Sequence, residues 1–178
     1  MEQLLVMTTV GWAIVAVLMT AMWLWHLRLQ NVGVVDVGWT ASLVALASLY
    51  AFLGPGTALR RGVIAAMIAV WGTRLCVYLL RDRVLGRPED PRYADLRARD
   101  SWAAAGSFFP FFQAQALLAV ILSLPALLAV FNPAPQLSAL EWSAVALWAV
   151  ALAGEAVADR QLETFKACLL YTSDAADD

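Results

Sequence analysis

Charge, histidine and paired cysteine are what this sequence has least of. Only 15% of its 178 residues are charged, and His26 is the one histidine. Soluble domains carry roughly a quarter charged residues, so an ordinary soluble domain is excluded. Disorder needs low hydrophobicity and high charge. Here 62% of residues are hydrophobic and the mean hydropathy is +0.70, which excludes it too. Two cysteines, Cys76 and Cys168, are too few for a disulfide scaffold, and neither has the nearby Cys or His that a zinc site needs. No G-x-G-x-x-G, Walker A, H-E-x-x-H or G-x-S-x-G occurs, so any nucleotide is bound without a Rossmann unit. The formal charge of −2 is a property of the tail: without Asp174, Asp177 and Asp178 there are 12 basic against 11 acidic residues.

What is present in excess is apolar and aromatic. Eight Trp, seven Phe and four Tyr suit side chains that meet lipid and its interface. A spanning helix needs about 20 mostly apolar residues, and five stretches qualify, at 4–25, 34–53, 62–80, 108–131 and 140–158. The fold class is therefore an all-α polytopic membrane bundle of about five helices. Gly54-Pro55-Gly56 closes the second span, Pro125 predicts a kink in the fourth, and Asn132-Pro133 marks the turn after it. Lys and Arg divide nine to two between the loop ends, with Arg60 and Arg61 in the minority. The positive-inside rule then puts the 81–107 loop in the cytoplasm and the N-terminus outside. Within that loop, Asp90-Pro91 predicts the start of a short helix running to Arg99.

Charges inside spans are costly and mark functional candidates. Asp36 begins the second span, with Trp39 and Thr40 on its face; the plainer reading is a carboxylate favouring a helix N-terminus. Arg74 lies about 9 Å from the end of its span, a long way to snorkel. Trp71, Arg74, Tyr78 and Arg81, spaced 3, 4 and 3 apart, fall on one helical face and form a candidate anion-binding wall. Glu155 and Asp159, one turn apart, repel mildly and call for a cation such as Arg74, Arg81 or Arg83; the alternative is a helix end dipping into the interface. His26, with no second ligand or nucleophile beside it, reads as an interfacial side chain.

Five segments together resemble a family of bacterial membrane proteins of unassigned function. They are 35–39 (Val-Asp-Val-Gly-Trp), 71–81 from Trp71 to Arg81, 89–97 from Glu89 to Arg97, 111–113 (Phe-Phe-Gln), and 154–166, from Gly154-Glu155 through Asp159 and Leu162 to Lys166. That family is related to the C-terminal domain of the steroid 5-alpha-reductases, membrane enzymes that reduce a conjugated double bond with NADPH. By this resemblance Arg74, Tyr78 and Arg83 line a cofactor pocket, and Asp159 with Leu162 touches the cofactor. Trp71 stands where the steroid enzymes carry a Tyr that polarises the substrate carbonyl, and an indole N–H is no comparable acid. The resemblance covers roughly residues 30–167.

The resemblance implies an NADPH-dependent reductase of lipid-like or isoprenoid substrates, in the bacterial inner membrane and without nucleic acid as a partner. Arg74, Arg81 and Arg83 would neutralise phosphates; Tyr78, Glu155 and Asp159 would orient the cofactor; Asp36 and Trp71 would serve the chemistry. The alternatives are an isoprenylcysteine or phospholipid methyltransferase using S-adenosylmethionine, and a non-enzymatic membrane protein. The family pattern stops after Lys166. Residues 168–178 lack helical periodicity and resemble translated adapter sequence, so residues 1–167 are expected to be an incomplete domain that inserts without turnover.

Overall fold

The computed structural model describes residues 1–99 and 108–174. Among the described residues six α-helices run in order: α1 Glu2–Leu29, α2 Val34–Leu53, α3 Ala58–Leu79, α4 Pro91–Arg99, α5 Phe109–Val130 and α6 Ala139–Asp174, with a π-helical turn Leu80–Val84 continuing α3. Among the described residues there are no strands. Five of the described helices are long and apolar enough to cross a membrane: α1, α2, α3 with its π turn, α5, and α6 as far as Cys168. The protein is an all-α membrane bundle. The chain divides into two compact units, Met1–Gln136 and Leu137–Asp178.

In the first unit α2 is the central element, packing against α1, α3 and α5. Its position follows from its residues, because lipid is as apolar as leucine and helices associate through close packing and polar contacts instead. Thr40 and Ser42 on α2 are buried and return their hydroxyls to Asp36 and Gly38 carbonyls, at 3.0 and 2.7 Å. Tyr50 reaches across to Ser123 on α5, hydroxyl to hydroxyl at 2.9 Å. Gln113 on α5 donates to Thr20 Oγ1 on α1 at 3.1 Å. The proline expected to kink the fourth span, Pro125, lies inside α5, which runs unbroken from Phe109 to Val130.

The helix ends have local causes. α1 extends to Leu29 and stops where Gln30 turns left-handed at φ 53°, its N–H donating to His26 carbonyl. α3 begins at Ala58 because the Thr57 hydroxyl accepts the Arg60 N–H. At this end of the unit Arg60, 1% exposed, donates to the carbonyls of Asn132, Ala134 and Gln136 at 3.0, 2.6 and 2.9 Å. Gly56 N–H donates to Val130 carbonyl at 2.9 Å. The α2–α3 turn thereby grips the end of α5.

The second unit is one helix. Ser138 and Glu141 form a capping box: Ser138 Oγ accepts the Glu141 N–H at 3.2 Å and Glu141 Oε2 accepts the Ser138 N–H at 2.7 Å. The helix continues to Asp174, through positions where the sequence shows no helical periodicity. After Gly154 no glycine or proline interrupts it, and Ala, Leu, Glu and Lys favour the helix without an amphipathic pattern. Residues 175–178 lie outside the described residues.

A Cβ on Gly72 of α3 would lie 2.3 Å from Val44 Cγ2 of α2. Val44 is β-branched and stiff in a helix, so the helices must part, costing about 1–3 kcal/mol. Gly72→Ala is expected to lower the thermal midpoint in detergent, while Gly62→Ala, with nothing within 4 Å of its added Cβ, is not. Equal midpoints for the two variants would refute the close α2–α3 approach.

Candidate functional site

The end of the first unit opposite Arg60 gathers the α1–α2 corner, the π turn and α4. At the corner, Asn31 Oδ1 accepts the Gly33 N–H at 2.8 Å, a side chain replacing a turn's backbone acceptor. Its Nδ2 donates to the Arg83 carbonyl at 2.9 Å. Val32 N–H donates to Glu89 Oε1 at 2.9 Å. Four residues after Val32, Asp36 stands in the first turn of α2, where a carboxylate is favoured by the helix dipole.

Asp36 uses both of its oxygens. Oδ2 accepts from the Arg83 guanidinium in an ion pair, and Oδ1 accepts from the Tyr93 hydroxyl at 3.0 Å. The pair is partly shielded, with the Arg83 and Asp36 side chains 31% and 27% exposed. Tyr93 itself is buried, its ring edge-on to Phe111 at 6.1 Å and 5.7 Å from the Arg92 guanidinium. Arg92 is fixed by Asp90, whose Oδ2 accepts from Nη2 at 2.8 Å while Oδ1 caps the Arg92 N–H at 3.0 Å. Those Arg92 hydrogen bonds hold the Asp90 carboxyl down to about 2. Burial first, and then the Asp36 charge, push the Tyr93 phenol well above its ordinary 10.0.

The residues singled out by sequence are distributed unevenly around this cluster. Asp36 and Arg83 are brought together. Trp71, Arg74 and Tyr78 are half-buried on α3, and Arg81 is exposed on the π turn. The α-helical spacing that carries a stripe from Tyr78 to Arg81 does not survive the π turn, which holds one more residue per hydrogen-bonded loop. Arg83, not Arg81, turns toward α2. Arg83 pairs with Asp36, and Glu155 and Asp159 are half-buried on α6 in the second unit.

Three participants were not singled out for chemistry: Asn31, Glu89 and Tyr93. Glu89 and Tyr93 lie in a segment that carries the family resemblance, which was the available signal. Asn31 sits beside Gly33 in a turn and gives none. His26, read as interfacial, is 3% exposed. Its Nδ1 donates to the Trp23 carbonyl at 2.7 Å and its ring lies 5.3 Å from Phe112 and 5.9 Å from Phe108. One turn after Asp36, the Trp39 indole N–H is buried with no hydrogen-bond partner among the described residues.

A carboxylate with a guanidinium on one oxygen and a phenol on the other is held in one orientation. That arrangement fixes the Arg83 guanidinium in place and ties α4 to α2. Because the folded phenol is raised, its hydrogen bond contributes fully below pH 10 and is lost as the pH rises through the folded value. In alkaline titration, Tyr93→Phe is expected to remove one phenol from the late-rising phenolate absorbance. Late amplitude equal to that of the unsubstituted protein would show that Tyr93 is not shielded.

The family described as Protein of unknown function (DUF1295) matches residues 22–175. The match takes in the whole Asp36 cluster, α3 and most of α6. No curated protein and no solved structure matches the chain.

Proposed function

We propose, from the premise that the chain belongs to the DUF1295 family, that it carries one wall of the NADPH site of a membrane-embedded reductase. The substrate class is a lipid-like or isoprenoid molecule with a conjugated double bond. The observation that carries this reading is the set of polar side chains Arg74 and Tyr78 on α3 and Arg81 and Arg83 on its π turn, in a segment otherwise apolar enough to span a membrane. A guanidinium binds phosphate through paired, charge-assisted hydrogen bonds. The resemblance of this set and of the Glu89–Arg97 segment to the steroid 5-alpha-reductases supports the same assignment.

The donor set suits a phosphate-rich cofactor. Arg74 and Arg81 put two guanidinium groups on α3 and its π turn, the kind of cation that suits phosphate charge. Arg83 offers only what Asp36 leaves it. Bound NADPH supplies a hydride for the alkene. In this chain Arg74 and Arg81 bind phosphate, Tyr78 orients the cofactor through its phenol, and Trp71 presents an indole N–H that can donate a hydrogen bond but is too weak an acid to deliver a proton. The substrate reaches the site from the bilayer, whose hydrocarbon dissolves it.

The test is NADPH titration in a DUF1295 protein that retains this segment. Arg74→Ala is expected to weaken binding about 10- to 100-fold, the loss of a charge-assisted contact worth about 1.5–3 kcal/mol, with yield and helicity unchanged. Unchanged affinity would assign Arg74 to snorkelling or helix pairing and remove the reductase reading's main support.

The same reading places the Asp36 end in the cytoplasm of a bacterium, with the N-terminus outside the inner membrane. The nine-to-two division of Lys and Arg supports it. So does the meeting of the α1–α2 corner with the π turn and α4, which puts Arg28, Arg83 and Arg92 at one end of the unit. In a Cys168→Ser background, Arg87→Cys is expected to resist an impermeant thiol reagent applied outside intact cells and to react once the membrane is opened. Labelling from outside would reverse the topology.

A further inference from the structure

The connector between the π turn and α4 is fixed at both ends and free in its middle. At its start, Arg83 donates its guanidinium to Asp36 while its carbonyl accepts from Asn31 Nδ2 at 2.9 Å. At its far end, Glu89 accepts the Val32 N–H at 2.9 Å and Tyr93 donates to Asp36 at 3.0 Å. All four contacts end on the α1–α2 corner or the first turn of α2. Between them Leu85, Gly86, Arg87 and Pro88 are exposed. Gly86 takes φ 67° with open space around it, a conformation that costs glycine nothing. This is a strap across the end of the unit.

Two of the four anchors share one carboxylate. The Arg83 ion pair sets the direction of the Asp36 carboxylate, and that direction aims Oδ1 at the Tyr93 hydroxyl. A phosphate oxygen is the same kind of acceptor as a carboxylate oxygen for a guanidinium, with more charge behind it. Taking Arg83 away leaves a partly buried carboxylate with a single neutral donor, and such a charge is stable only if it turns to water. Asp36 can do so, since 27% of its side chain is already exposed.

We infer that the 85–93 strap is an anion-operated latch: a phosphate-bearing ligand draws Arg83 from Asp36, and the strap then lifts at Tyr93. The inference rests on the reading of Arg83 as a phosphate ligand, and deepens it. Asp36 is a positioning residue in this scheme, acting on the ligand through Arg83. The closed strap keeps the guanidinium paired until a stronger anion arrives.

Hydrogen–deuterium exchange of the chain in detergent micelles, with inorganic diphosphate as the probe, tests the latch. The amides to follow are Val32, which donates to Glu89, and Arg92, Tyr93 and Ala94, which donate to Asp90. Diphosphate is expected to speed their exchange about tenfold. Asp36→Asn is expected to exchange fast without diphosphate, to respond to it no further, and to bind it about tenfold tighter. Tyr93→Phe leaves the ion pair in place, so its strap exchanges fast while its diphosphate affinity stays within twofold. Exchange in α5 reports whether each variant is folded; if Asp36→Asn is not, Tyr93→Phe and the unsubstituted protein decide. Strap exchange indifferent to diphosphate in the unsubstituted protein, or a Tyr93→Phe strap as slow as the original, overturns the latch. A diphosphate response in a family that binds no NADPH would sink the reductase reading and leave the latch standing.

Discussion

A single carboxylate, Asp36, ties three parts of the chain together at one end of the first unit. It stands on α2, which packs against α1, α3 and α5, so whatever it grips is fixed to the whole first unit. Through Arg83 it grips the end of α3, and through Tyr93 the start of α4. None of these groups is stable alone at that depth. A partly buried charge needs a partner, and a buried phenol needs an acceptor. Each satisfies another, and the result is a closed set that sets the path of the connector.

The opposite end of the unit is held on the same logic with the signs rearranged. There Arg60 is the buried cation, and three backbone carbonyls from the turn after α5 accept from its guanidinium. Three partial charges converge on a guanidinium that offers its donors in a fixed fork. Between these two polar ends the helices meet through glycine at Gly72, through hydroxyls and through one glutamine. In lipid, apolar surface gives no preference for one helix pairing over another. The polar ends supply that preference.

The five apolar stretches were legible because hydrocarbon thickness imposes a length that composition alone reveals. The Asp90-Pro91 start of α4 was legible because capping is local. Asp36 stood out as a charge in an apolar run, yet its partners did not. Arg83 and Tyr93 are 47 and 57 residues away, and nothing in local spacing encodes so distant a contact. Arg81 was drawn into the polar stripe by counting at α-helical period, and the π turn breaks that count at Leu80. Arg60 looked like a loop charge because its acceptors are main-chain carbonyls, which leave no mark in a sequence. The helix past Lys166 was missed because its residues favour helix without any periodic face.

The π turn also decides which changes the region can absorb. Its extra residue rotates everything after Leu79 relative to a continued α-helix, and each residue of a helix is worth about 100° of rotation. Deleting one residue between Leu80 and Val84 would let α3 run on as an ordinary helix, losing no apolar surface and improving its hydrogen bonding. It would also swing the Arg83 guanidinium by about that angle away from α2. Substitutions here trade one side chain for another, but a lost codon changes the phase of the helix. This short segment is therefore bound to keep its length as well as its Arg83.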